Sequence, residues 1–152
     1  MVDTWTPRKR PGHKSYELSD EVLQQKYFKL TSAEIKALKG TPITVIPAPG
    51  PGKYVQFVGA VLFLNHGGTD YANGGDLSFQ MNSTDVSVVV ANSAFVNSSA
   101  DACINLPADE ATYALAENDG VEITVASAEH ITGDGTITGL VSYRIVSFDN
   151  EV

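Results

Sequence analysis

The sequence predicts an all-β fold, an antiparallel jelly-roll-like sandwich or barrel with one short helix and an extended N-terminal arm. Three observations carry that expectation. Beyond Thr41 the chain breaks into short runs rich in Val, Ile, Phe and Tyr, the residues that fit a pleated, half-buried surface. Several of these runs alternate apolar and polar residues with a period of two, as in "VEITVAS" at 121–127, so their sheets have one wet face. Turn residues recur between them ("HGG", "NGG", "NDG", "GDG"), and no strand alternates with a long helical pattern, which argues against a parallel α/β sheet.

At 152 residues the chain is one domain's worth of sequence, with an arm at 1–29 and a β domain at 30–152. It is long enough to bury a single sizeable core. The first 28 residues mix charge, prolines and scattered aromatics without a sustained apolar period, as an extended segment does. Ser19 with Asp20 and Glu21 could open a helix of one or two turns.

Thr31-Ser32-Ala33-Glu34 matches a capping box, in which the Thr hydroxyl and the Glu carboxylate each satisfy an orphan backbone N–H. It predicts a helix over 32–39, with Gly40 as a left-handed stop. A helix that short must pack Ile35 and Leu38 on something larger. Strands are expected at 43–46, 53–64, 76–81, 86–90, 112–116, 121–126 and 136–148. In the last, Leu140 falls out of phase with Val141, Tyr143 and Ile145. Residues 92–111 read as a long connection with a brief strand at 103–106.

Between the first two strands stands "PAPGPGK", residues 47–53. A phosphate-binding loop needs successive backbone N–H donors, a glycine five residues before its Gly-Lys pair and a hydroxyl after the lysine. Here that earlier position is Pro47, Tyr54 follows Lys53, and three prolines lack an N–H. The expectation is a stiff hairpin or edge turn.

Charge divides the molecule. Residues 1–40 hold eight basic and five acidic side chains, net +3, while residues 41–152 hold two basic and thirteen acidic ones, net −11. A basic leader ahead of an acidic body suggests that the leader grips an acidic partner. Trp5, Arg8, Lys9, Arg10 and Lys14 are the candidate contact residues, and a clamp on an acidic protein surface fits them better than nucleic acid, which calls for a broad basic face. No apolar stretch approaches membrane-spanning length, and the first residues, "MVDTWTPRKR", carry charge and no apolar h-region, so no secretory signal is expected.

The residues give little support to catalysis. His13, His66 and His130 are scattered, and no Gly-x-Ser-x-Gly elbow appears, so neither a nucleophilic triad nor a zinc site is expected. Asp70, Asn73 and Asp76, and the "GDG" at 133–135, offer oxygen ligands for a hard cation, but neither matches an EF-hand and plain turn formation is the better explanation. Cys103, the sole cysteine, reads from its neighbours "ACINL" as a small buried group. No enzyme activity, cofactor or metal is expected.

The stretch "LTSAEIKALKGTPITVIPAPGPGKYVQFVGAVLFLNHGGTDYANGGDLSFQ", residues 30–80, resembles a segment of small virion proteins of tailed bacteriophages. The shared features are the Leu-Thr-Ser-Ala-Glu-Ile helix start, the "TPI" strand, the Ala-Pro-Gly-x-Gly-Lys turn, the long apolar strand, and the "Tyr-Ala" loop before an "Asp-Leu" strand. The closing "YRIV" at 143–146 has a counterpart as a last strand. The resemblance implies a capsid decoration or cement protein, often trimeric, made in the host cytoplasm and bound to the major capsid protein on the capsid exterior. It names no catalytic residue and does not cover the arm. Two other readings stay open: a tail-fibre or receptor-binding module presenting loops 65–76 and 92–111 to host glycan, and a small cupin-like enzyme, which would need clustered histidines and a metal.

Overall fold

A computed structural model describes residues 22–109 and 115–147. Among the described residues ten strands form: β1 (Gln24–Leu30), β2 (Ile43–Ile46), β3 (Lys53–Asn65), β4 (Tyr71–Asn73), β5 (Leu77–Met81), β6 (Thr84–Asp85), β7 (Ala102–Pro107), β8 (Val121–Val125), β9 (His130–Thr132) and β10 (Thr136–Ser147). One sheet has the order β1-β10-β3-β7 and the other β2-β8-β5-β6, with β4-β9 as a separate ribbon. All pairings are antiparallel.

Setting the ribbon aside and counting the other eight strands from one to eight, the sheets run 1-8-3-6 and 2-7-4-5. The outermost strands pair, then the next inward, down to the β5–β6 hairpin. This is a long antiparallel hairpin rolled into two facing sheets, the jelly roll. The predicted fold class is therefore observed.

The roll closes around apolar side chains from both sheets. Phe57 of β3 and Phe79 of β5 pack with their rings tilted by 33° at 5.2 Å between centroids, and Phe28 of β1 meets Phe79 edge-on at 6.2 Å, the T-shaped arrangement that ring quadrupoles favour. Phe28 lies opposite Gly139, where an added Cβ would come within 2.3 Å of its ring. Glycine there is what lets the aromatic ring fold across β10.

The helix α1 (Ser32–Ala37) has the predicted capping box: Thr31 N–H donates to Glu34 Oε2 at 2.7 Å, and Glu34 N–H donates to Thr31 Oγ1 at 3.4 Å. The Thr31 N–H and, at 2.8 Å, the Thr31 hydroxyl both donate to the Glu34 carboxylate and hold its pKa below the ordinary value. Ile35 and Leu38 are fully buried. Gly40, however, is not left-handed; the helix end is closed by Glu129, whose carboxylate accepts from Lys39 N–H at 3.0 Å and Gly40 N–H at 2.7 Å.

Other expectations are corrected by non-local pairing. Residues 24–30 belong to a strand with Phe28 and Leu30 turned inward, so the sheet begins within the stretch assigned to the arm. The 47–52 segment is no hairpin: β2 pairs with β8 and β3 with β10 and β7, so it carries the chain from one sheet to the other. Of the expected strand 86–90 only bridges remain, Ser87 with Ala108 and Val90 with Leu77. Ser87 Oγ takes the Phe79 N–H at 3.0 Å, substituting for a ladder carbonyl as the chain crosses between sheets. Within the 92–111 connection, Phe95 and Val96 are fully buried. Cys103 is exposed, not buried. Most of the strand expected at 112–116 lies outside the described residues.

Candidate functional site

The arm residues Trp5, Arg8, Lys9, Arg10 and Lys14, His13, and the helix expected after Ser19 lie outside the described residues, so the geometry concerns the loops and the two outward sheet faces.

The 47–53 loop answers the phosphate question directly. Gly50 (φ 108°) and Gly52 (φ 72°) adopt backbone open to glycine, and their N–H groups are taken: Gly52 donates to Glu117 Oε1 at 2.7 Å and Gly50 to Asn118 Oδ1 at 2.9 Å. The donors that could cradle an anion already hold the chain's own Glu117 carboxylate and Asn118 amide oxygen. This loop is a structural clasp between residues 50–53 and 117–118.

The candidate cation loops are used in the same way. Asp134 accepts from Thr69 N–H at 2.9 Å and Gly68 N–H at 3.1 Å, which pull its carboxyl below the ordinary value. Asp76 Oδ1 accepts from Asn92 N–H at 3.1 Å. Asp70 Oδ1 lies 2.7 Å from His66 Nε2, while Asp101 accepts the His66 N–H at 2.8 Å. Each of these carboxylates thus closes a loop, and among the described residues no group of three His, Cys, Asp or Glu side chains is placed to hold a metal.

Beside these loops sits the β4–β9 ribbon. Tyr71 donates its hydroxyl to Gly135 O at 2.6 Å, and burial, aided by the Asp134 charge, pushes the phenol up to about 12. His130 is buried against Tyr71. Neither of its ring nitrogens meets a hydrogen-bond partner. Burial is the chief cause that lowers its pKa, opposed in part by the Glu129 charge.

The two outward faces differ in kind. On the β1-β10-β3-β7 sheet, Tyr27, Leu140, Val61 and Asn105 are successive cross-strand neighbours, and Lys29, Thr138, Phe63 and Cys103 form the next row. Tyr27 is 74% exposed, Val61 45% and Phe63 43%. A bulge on β3, between Phe57 and Gly59, turns Val58 outward as well. These four strands carry Lys26, Lys29, Lys53 and Arg144 and no Asp or Glu. Direct pairing made this face; its members lie on four separate strands, from Tyr27 to Leu140, and only the alternation within each strand points to it.

The β2-β8-β5-β6 sheet instead presents a bonded polar surface. Asp85 Oδ1 accepts from Ser78 Oγ at 2.7 Å and Gln80 Nε2 at 2.9 Å. Thr44 Oγ1 donates to Glu122 Oε1 at 3.5 Å. The buried Thr124 hydroxyl caps the end of α1 by donating to Leu38 O at 3.2 Å.

No protein-family model and no curated protein matches this chain. Among solved structures, a chain described as part of the cyanophage Pam1 capsid asymmetric unit is similar to it, with 20% sequence identity, a TM-score of 0.47, and coverage of 95% of this chain and 99% of that one.

Proposed function

We propose that this chain is a structural protein of a tailed-phage particle, a capsid decoration protein that sits on the outside of the shell, contacts the major capsid protein and reinforces the lattice as a trimer. The observation that carries this reading is the strand order: two four-stranded sheets in 1-8-3-6 and 2-7-4-5 order, an architecture that recurs in viral capsid domains, in a chain whose residues 30–80 resemble small phage virion proteins. The same architecture hosts lectins and cupins, and fold alone does not choose between functions. The loops help to choose: the carboxylates and the 50–53 backbone donors that could have built a ligand site hold the loops together instead.

In this reading Trp5, Arg8, Lys9, Arg10 and Lys14 grip acidic grooves of the shell and the folded body spans neighbouring subunits. Ordering a flexible segment costs about 1 kcal/mol or more per residue, so the grip depends on many contacts made at once by the copies of an oligomer.

Purified particles provide the test. The chain is expected in stoichiometric amounts on the outer shell in an image reconstruction, and deletion of residues 2–15 is expected to leave a folded body with much reduced occupancy. Absence from the particle, a position on the tail, or glycan binding by the isolated chain would overturn the reading; full occupancy after the deletion would remove the arm from the mechanism.

A further inference from the structure

The outward face of the β1-β10-β3-β7 sheet combines two properties that together select a partner. Its centre is apolar: Tyr27, Leu140 and Val61 are direct neighbours across three strands, and Phe63 follows Val61 on the same side of β3. The charges on its strands are all of one sign, the minority sign of the molecule, since the whole chain has 18 acidic and 10 basic residues and these four strands contain no acid; the neighbouring Asp101, just before β7, is engaged by the His66 backbone N–H at 2.8 Å. Lys29 stands in the Phe63 row and Arg144 further along β10 on the same outward side, both exposed. An exposed apolar patch with a polar rim marks an interaction surface, and here the rim specifies charge.

A two-fold pairing of this face with itself would set Lys29 and Arg144 against their own kind. Nucleic acid would leave the aromatic and aliphatic centre unmatched and calls for a broader basic footprint. We infer that this face docks on an acidic protein surface, one that offers an apolar patch bordered by Asp or Glu, with Tyr27, Val61 and Phe63 filling the patch and Lys29 and Arg144 setting the register. Only the identity of that surface, the capsid shell, rests on the function proposed above; the chemistry of the face does not.

Cys103 makes the inference testable, because it lies directly across from Phe63 on β7, is exposed, and is the chain's sole cysteine. Its alkylation by a maleimide reports whether the face is covered. Two probes are used with the full chain: a random glutamate–tyrosine copolymer, which is acidic and aromatic, and phage shells purified without this chain. At low salt each is expected to slow Cys103 alkylation by about tenfold or more. The double reversal Lys29→Glu with Arg144→Glu should abolish that protection, Val61→Ser should weaken it, and Glu122→Lys on the opposite sheet should leave it intact, circular dichroism and thermal unfolding showing each variant folded.

Copolymer binding that leaves Cys103 reactive, or equal protection in the double reversal, would overturn the inference. So would a cysteine already shielded in the free chain and released on dilution, the mark of a second copy, or protection by phosphatidylserine vesicles and not by the copolymer. Shell binding with Cys103 still reactive overturns the docking face and leaves the virion reading standing. Protection by the copolymer without any binding to shells does the reverse.

Discussion

The two outward faces of the roll are built from the same kind of strand, yet one is chemically closed and the other open. On the β2-β8-β5-β6 sheet, polar side chains bond to one another: Asp85 takes Ser78 and Gln80, and Glu122 takes Thr44. On the β1-β10-β3-β7 sheet, Gln25 Nε2 donates to Ser142 Oγ at 3.3 Å in one row, but the next two rows set Tyr27, Leu140, Val61 and Phe63 side by side in water. A surface whose groups satisfy each other needs no partner. Exposed apolar neighbours gain by acquiring one. The difference therefore separates the part of the molecule that finishes its own structure from the part suited to completion by another.

Substitutions can break that comparison, and the largest effect belongs to neither face. Phe79 comes from the closed sheet but its ring packs on Phe57 and Phe28 of the open one, so it ties the two together. Phe79→Ala is expected to cost about 3–5 kcal/mol, as removal of a buried aromatic does, and to lower both sheets in one unfolding transition, followed by denaturant titration with circular dichroism. Two separate transitions would show that the sheets are independent and that the contrast is one of stability as well as of surface.

Asp85→Ala tests whether the closed face is held by its own hydrogen bonds. Ser78 is buried, and it would lose its acceptor together with Gln80. A loss of about 1–3 kcal/mol is expected from leaving such donors unpaired. A neutral result would mean that water replaces the carboxylate freely, and the face would be polar without being self-sufficient.

How much of this was legible follows from how far apart the partners lie. The capping box joins residues three apart, and both of its bonds are present. The closing of the same helix by Glu129 spans 90 residues, and no local pattern announces it; Gly40 was the only visible stop signal. Cys103 shows a signal present but misapplied, since period-two alternation along "ACINL" puts Ala102, Ile104 and Leu106 inward and Cys103 outward, whereas its apolar neighbours suggested burial. β1 hid because an edge strand with only Phe28 and Leu30 facing inward looks like polar sequence. The 47–53 chemistry was readable from its prolines, but the sheet each flanking strand would join was not.

A smaller effect comes from the end where the two sheets are bridged by the β4–β9 ribbon. His130 is buried without a ring hydrogen bond, and its folded pKa is lowered from 6.5, chiefly by burial. Folding therefore favours the neutral ring. Its contribution is complete above pH 6.5 and declines as the pH falls from there toward the folded value, where the unfolded chain binds a proton that the folded chain still refuses. Thermal unfolding should show stability rising with pH across this window, and His130→Leu should flatten the slope. A slope unchanged by the substitution would assign the pH dependence to the carboxylates instead.

The smallest expected effect on stability is also the one that bears most on the comparison. Phe63→Ser and Val61→Ser alter the open face at two of its central positions, yet both side chains keep more than two-fifths of their surface in water, so each change should cost only about 1 kcal/mol, through lost strand propensity and cross-strand packing. If the face is a docking surface, the same substitutions should sharply weaken retention on the partner, because burial there is completed only in the assembly. Stability and binding would then separate cleanly, whereas Asp85→Ala on the closed face should move stability and leave binding alone. A loss of several kcal/mol on Phe63→Ser in the isolated chain would mean that Phe63 already packs against something in solution, and the open face would have to be redrawn as a covered one.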